Sequence, residues 1–281
     1  MRGHRIDDRW IDSIYDNEEN NPDRINNKNI FRYRTKTIKS GDVLEVQAYP
    51  IWNTYSEVRR AKNKVSTIAQ SNLNHRNRQA QVIRLINANF TDKDVWATFT
   101  YSDEKMPTKY SVALKEIKNY IRRLKTYAAK HNYPELKYIY VTEFKKHGFH
   151  HHIVMNFKDR DIAEKLWKGG KRKQTRRLQA DVNGYEGLAR YITKQETKEL
   201  EEDGIKHNAY VCSKNLIKPK ITVSDWKISR SKARKIAEGR LDPMKLFQRL
   251  YPGYTFNTCE VKTSEYVSGC YLYVKLHKFR N

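Results

Sequence analysis

"LKYIYVTEFKKHGFHHHIVMNF", Leu136 to Phe157, is the stretch from which the rest of the chain can be read. Two runs rich in β-branched and aromatic residues, "LKYIYVTEF" and "FHHHIVMNF", flank the short connection "KKHG". Such runs favour extended backbone, and so short a link joins antiparallel neighbours. Side chains alternate along a strand. His150, His152, Val154 and Asn156 therefore share one face of the second strand, and Phe149, His151, Ile153, Met155 and Phe157 share the other. The second set is apolar apart from His151, so it is the core face, with His151 expected there as a packed, hydrogen-bonded residue. His147, in the turn, is expected to be exposed. If Phe144 faces Phe149 across the hairpin, Glu143 faces His150 and Val141 faces His152. Opposed residues lie on one face of a sheet, so strand geometry alone brings Glu143, His150 and His152 together. A set of two imidazoles and one carboxylate suits Mn²⁺, Mg²⁺, Fe²⁺ or Zn²⁺. The alternative is a polar strand face open to solvent.

The neighbouring patterns set the fold class. "VWATFTYS" (Val95 to Ser102) reads as a strand with Trp96, Thr98 and Thr100 on one face. "SVALKEIKNYIRRLKTYAAKH" places Leu114, Ile117, Ile121, Leu124 and Ala128 on one face of a helix, with Ser111 as its cap. "DRDIAEKLW" and "GYEGLARYITKQ" (Gly184 to Gln195) are shorter helices. Upstream, "DVLEVQAYPIW" (Asp42 to Trp52) alternates as a strand, and a helical pattern runs from Tyr55 to about Phe90 with Ser71 as a candidate cap. "GCYLYVKLHKF" is a late strand. The order strand, helix, strand, strand, helix predicts an α+β fold with a central antiparallel sheet and flanking helices. Residues 1–35 form a polar segment expected to be loosely ordered, or ordered on a partner. Residues 36–220 are expected to form the main domain, with an N-terminal strand and helix extension, and residues 221–281 a C-terminal α/β extension.

Charge narrows the partner. Lys and Arg total 56 against 32 Asp and Glu, a net charge of +24. Such a field attracts polyanions, nucleic acid first among them. The 19 Tyr and 5 Trp interleaved with these cations suit single strands, whose bases stack while their phosphates pair, although most of these aromatics are expected in the core. "KGGKRKQTRR" (Lys168 to Arg177) is the densest basic run. Lys171, Arg172, Lys173, Arg176 and Arg177 are candidate DNA contacts in a loop, with Arg190 on the later helix; the alternative is a solvated surface loop. Cys212, Cys259 and Cys270 are far apart and form no C-x-x-C pair, which argues against a disulfide framework or a thiolate zinc site. The N-terminal residues lack the apolar run of a signal peptide. No window approaches the length of a membrane span, so a cytoplasmic protein is expected.

"LARYITK" sets Tyr191 and Lys194 three residues apart, on one face of a helix. A tyrosine hydroxyl attacks phosphorus competently when a metal polarises the phosphate and a cation is near. Tyr185 is a less well placed alternative.

Taken in order, these motifs resemble those of a rolling-circle replication initiator of the HUH endonuclease superfamily, most closely the replication-associated proteins of bacterial phages and plasmids. "ATFTYS" resembles the first family motif, a strand beside the active site. "GFHHHIVMN" matches the second, and "RYITK" the third. The middle slot of the second motif, hydrophobic in the family, is His151 here. "CSKNLIKP" (Cys212 to Pro219) resembles a segment beyond the nucleophile helix. The resemblance implies a ferredoxin- or RRM-like core, with Mg²⁺ or Mn²⁺ held by Glu143, His150 and His152. It implies Tyr191 as nucleophile and Lys194 as its companion. The implied substrate is single-stranded or hairpin origin DNA, and the products are a 5′-phosphotyrosine link and a free 3′-OH. The implied setting is a bacterial host cytoplasm. No G-x-x-x-x-G-K-[ST] run occurs in the 281 residues, since "GGKRK" lacks the spacing; a host helicase is therefore expected to unwind the duplex. A relaxase or a single-strand transposase would share the chemistry. A metallohydrolase would lack its helical H-E-x-x-H motif here. A basic nucleic-acid-binding protein with a structural metal would share the charge alone.

Overall fold

The computed structural model describes residue 15 and residues 30–52, 67–145, 148–170, 173–194, 210–264 and 267–278, with the side chains of 67–73, 145 and 173 left out. The chain divides into two compact units, residues 81–218 and residues 1–80 with 219–281; the division falls inside a helix. Each unit is built on an antiparallel sheet of five strands, and the described residues include six helices. The fold is α+β, as the order of elements predicts.

The strands of the unit of residues 81–218 are β3 (Val95–Thr100), β4 (Tyr138–Lys145), β5 (Gly148–Met155), β6 (Lys173–Arg177) and β7 (Val211–Cys212). Their order across the sheet is β6-β3-β5-β4-β7. β3 and β4 both run antiparallel to β5 and lie on either side of it. They are therefore parallel to one another, with helix α2 (Tyr110–Lys130) between them in sequence: a split β-α-β unit of the ferredoxin type. The core side of the sheet follows strand parity. Val95, Ala97 and Phe99 of β3 and Phe149, His151, Ile153 and Met155 of β5 are buried, against Ala113, Ile117, Tyr120, Ile121, Leu124 and Ala128 of α2.

The opposite face carries a smaller apolar cluster. Ile139 and Val154 meet Val82, Ile83, Leu85 and Ile86 of α1 (Thr67–Asn89) and Ala189 and Ile192 of α4 (Glu186–Ile192). Helix α3 (Arg160–Leu166) is capped by the Asp159 side chain, which accepts from the Ile162 N–H. Two expected caps differ. Helix α2 starts one residue before Ser111, with Lys109 extended at its cap position, and the Lys109 carbonyl accepts from Val112 and Ala113. Ser71 lies inside α1, which already begins at Thr67; residues 53–66 of that helical pattern are outside the described ones.

In the other unit, strands β1 (Ile30–Ser40) and β2 (Val43–Trp52) form a hairpin through Gly41, whose φ of 60° the tight turn requires. β1 starts within the stretch read as a polar N-terminal segment, because Ile30 and Tyr33 are buried. β8 (Lys220–Ser224), β9 (Thr255–Thr263) and β10 (Cys270–His277) complete the sheet, in the order β8-β1-β2-β10-β9. Residues 30–52 thus share it with strands from the last quarter of the chain. Leu44, Val46, Ala48, Leu272, Val274 and Leu276 line one face with Ala233 and Ile236 of α5 (Arg230–Ala237) and Leu246 and Phe247 of α6 (Pro243–Leu250).

Candidate metal centre and nucleophile

The β4–β5 register pairs Phe144 with Phe149, Glu143 with His150 and Val141 with His152. This is the register that the short hairpin predicts. Gly148 makes it possible: its φ is +92°, where a side chain is strained, and a Cβ there would collide with Met106. His150 and His152, two residues apart, stand on one face with ring centroids 5.1 Å apart. Glu143 Oε2 lies 3.2 Å from His150 Nε2 and 3.7 Å from His152 Nε2. One ligand atom from each residue falls within 4.8 Å of the others, and Glu143 and His152 are buried.

The tautomers follow from the outer partners. The Gly148 carbonyl can only accept, so His150 donates to it from Nδ1, at 3.4 Å, and Nε2 faces Glu143. His152 Nδ1 lies 3.0 Å from Thr98 Oγ1, a residue placed opposite it by the β3–β5 register. A proton on Nδ1 leaves the Nε2 lone pair bare. That nitrogen is buried and has no hydrogen-bond partner among the described residues. A bare imidazole nitrogen, buried against a carboxylate, is costly unless a cation or proton joins them. The two rings and the carboxylate thus fit a divalent cation, with Thr98 as the outer group that fixes one ligand.

His151 is held apart from this cluster. It is fully buried on the α2 side. Tyr101 Oη lies 2.6 Å from its Nε2 and Thr142 Oγ1 2.9 Å from its Nδ1, and the Trp167 ring packs edge-on at 5.5 Å. A neutral imidazole has one donor and one acceptor, and the two hydroxyls use both. Burial, then the neighbouring His150 and His152, lowers its pKa to about 3. His147 lies outside the described residues.

Helix α4 brings Tyr191 over the same face. Its ring centroid is 5.3 Å from that of His152 and 6.2 Å from that of Trp96, edge-on to both, and half of the residue is exposed. Ala189 and Ile192 anchor the helix in the core beneath. Tyr185 is buried at the start of the helix, where its N–H donates to Asn87 Oδ1 at 2.8 Å. The helix is shorter than predicted: it ends at Ile192, with Thr193 as its cap, and both the Thr193 N–H and hydroxyl donate to the Ala189 carbonyl. Lys194 is therefore exposed just past the helix end rather than on the same helical face as Tyr191.

The basic run also differs from the expected loop. Lys171 and Arg172 lie outside the described residues, but Lys173–Arg177 is the edge strand β6, because Thr175 is buried between exposed neighbours and hydrogen-bonds Glu164. Its register sets Gln174 opposite Thr98 and Arg176 opposite Trp96, on the Tyr191 face. Arg177 donates to the Lys93 carbonyl at 2.6 Å. Arg190 pairs with Glu186 one turn earlier on the helix. Sequence reading passed over Trp96 and Thr98 as site residues, although their shared face was legible from strand alternation.

An antiparallel α+β sheet with a split β-α-β unit, a His–His–Glu cluster at its centre and a tyrosine above it is an HUH-like core. Residues 94–200, which contain β3 through α4, match a family model of replication-associated proteins, the ORF2 type. That match is consistent with a rolling-circle replication initiator and points to a role in replication. No match was found among curated proteins or among solved structures. No helix among the described residues is long and apolar enough to cross a membrane.

Proposed function

We propose that this chain initiates rolling-circle replication by nicking single-stranded origin DNA through Tyr191. The observation that carries the reading is the Tyr191 ring at 5.3 Å from His152, beside a cluster fit for a cation and inside the segment that matches replication-associated proteins. Glu143, His150 and His152 would hold Mg²⁺ or Mn²⁺, which supplies polarisation of the scissile phosphate when bound. The Tyr191 oxygen attacks phosphorus. The new O–P bond forms as the P–O3′ bond breaks, the phenolic proton leaves, and the 3′ oxygen takes a proton to become the primer hydroxyl. One phosphodiester is exchanged for another, so the strand can later be rejoined. Lys194, exposed after the helix, is available to the phosphate, and Arg176 shares the face of Trp96 and Tyr191. Because no Walker-type phosphate loop occurs in these residues, a host helicase would separate the strands.

The test is incubation with circular single-stranded DNA carrying the cognate origin and Mn²⁺, followed by a denaturing gel. A protein–DNA adduct is expected from the natural chain and none from Tyr191→Phe, which should bind DNA as before. An adduct that survives Tyr191→Phe but is lost in Tyr185→Phe would reject the assignment.

A further inference from the structure

The second nucleic-acid feature lies outside residues 94–200, on the edge of the other sheet. Its sequence is "PKITVSDW", Pro219 to Trp226. β8 pairs with β1 in a register that sets Ile221 beside Ile38 and Val223 beside Lys36. Ile221 and Val223 are half exposed and Trp226 is 81% exposed. A tryptophan left so open keeps apolar area in water that folding usually removes. This ring is held without being covered: the Arg32 guanidinium lies 4.6 Å from its centroid and 4.2 Å from that of Phe31. The arrangement is a planar cation between two aromatic rings, with one ring face-exposed.

The surrounding charge selects the ligand. Arg34 holds both oxygens of Asp225, at 2.7 and 2.9 Å, so the one carboxylate of this stretch is neutralised. Lys36, Lys220, Arg230 and Lys232 add positive charge along the two strands and the following helix. A second protein strand would use the open edge of β8, but Trp226 lies beyond its end and the cations would oppose any basic copy of this chain. An exposed ring set among cations instead matches a base and its phosphates.

We propose that Trp226 and Arg32 form a stacking platform for single-stranded nucleic acid, a contact site separate from the Tyr191 centre. The proposal rests on the nucleic-acid reading of this chain but not on its nicking chemistry. One base stacks on the Trp226 ring, and Arg32 orients that ring while pairing with phosphate. Such a site would hold a strand without reading its sequence, since every base has a π face.

The experiment uses the full chain with EDTA, so that only binding is measured, and labelled oligothymidylate as the probe. Trp226→Ala should weaken binding about tenfold, the scale of one aromatic stack, with the salt dependence nearly unchanged. Trp226→Phe should recover most of the loss. Arg32→Ala should weaken binding and flatten the log–log salt slope by about 0.7. Adduct formation by Trp226→Ala at saturating origin DNA should equal that of the natural chain. If the natural chain forms no adduct while the Trp226 effect persists, the nicking reading fails and the platform stands. Unchanged oligothymidylate affinity in Trp226→Ala overturns the platform. So does unchanged affinity with loss of self-association in sedimentation, which would assign the patch to a second copy.

Discussion

Two of three consecutive histidines lie on the cluster face and the third lies in the core, and the consequences differ for each. His151 sits neutral in the core, between two hydroxyls, with its pKa lowered from 6.5 to about 3. The unfolded chain therefore binds a proton between those values that the folded chain refuses. Stability rises with pH across that window and is lost as pH falls from about 6.5 towards 3. His151→Ala should cost about 1–3 kcal/mol at neutral pH, from vacated volume and two stranded hydroxyls, while leaving the cluster's chemistry in place. His151→Gln should also be less stable at neutral pH, yet should flatten the acid limb; urea unfolding at several pH values measures both. Thr98 acts on the other face. Thr98→Val keeps the shape but removes the group beside His152 Nδ1. Metal affinity should fall at least tenfold, read by calorimetric titration with Mn²⁺. Equal affinity would mean that Thr98 does not position the ligand.

At the scale of elements, the β4–β5 hairpin decides the site, because a slip of one residue would exchange the two faces of β5. The slipped strand would bury His150 and His152 and expose Phe149, Ile153 and Met155, which is why apolar parity in the sequence was enough to fix the register. Gly148→Ala tests that element. A side chain at its φ of +92° is strained and meets Met106, so a loss of about 1–2 kcal/mol is expected by thermal unfolding, along with weaker metal binding. A Gly148→Ala protein as stable as the natural one would show that the turn does not enforce the register. What the sequence hid at this scale is physical too. Caps were misread because Ser111 and Ser71 favour helix starts locally, whereas burial of Tyr110 and extension of the helix beyond Ser71 settle the real ends. Helix α4 stops early because Thr193 turns its hydroxyl onto the Ala189 carbonyl, a backbone competition no periodicity reveals. The basic run became a strand because Thr175 alone needed burial, a weak signal among five cations.

For the whole molecule, patterns local in sequence were legible and pairings distant in sequence were not. The split β-α-β unit emerges from segments that follow one another. The sheet that joins residues 30–52 to residues 220–277 depends on partners nearly the whole chain apart, and hydrophobic alternation names a strand without naming its neighbour. Net charge is the other whole-molecule property. At +24, every polyanion is attracted, and the affinity for single-stranded DNA should fall with salt at a log–log slope of about −0.7 per phosphate neutralised. A general field and a specific contact predict different mutants. Arg176→Ala and Arg177→Ala each remove one charge of the same total, so the field alone would lower affinity equally. Strand parity does not treat them equally: Arg176 stands opposite Trp96 on the Tyr191 face, whereas Arg177 stands opposite the buried Val95 and donates to Lys93. Fluorescence anisotropy with oligothymidylate over a salt series, on protein with EDTA, should show the slope reduced by about 0.7 in Arg176→Ala and nearly unchanged in Arg177→Ala. Equal slopes in the two variants would mean that β6 contributes only to the field, and that the strand passes Tyr191 by another path.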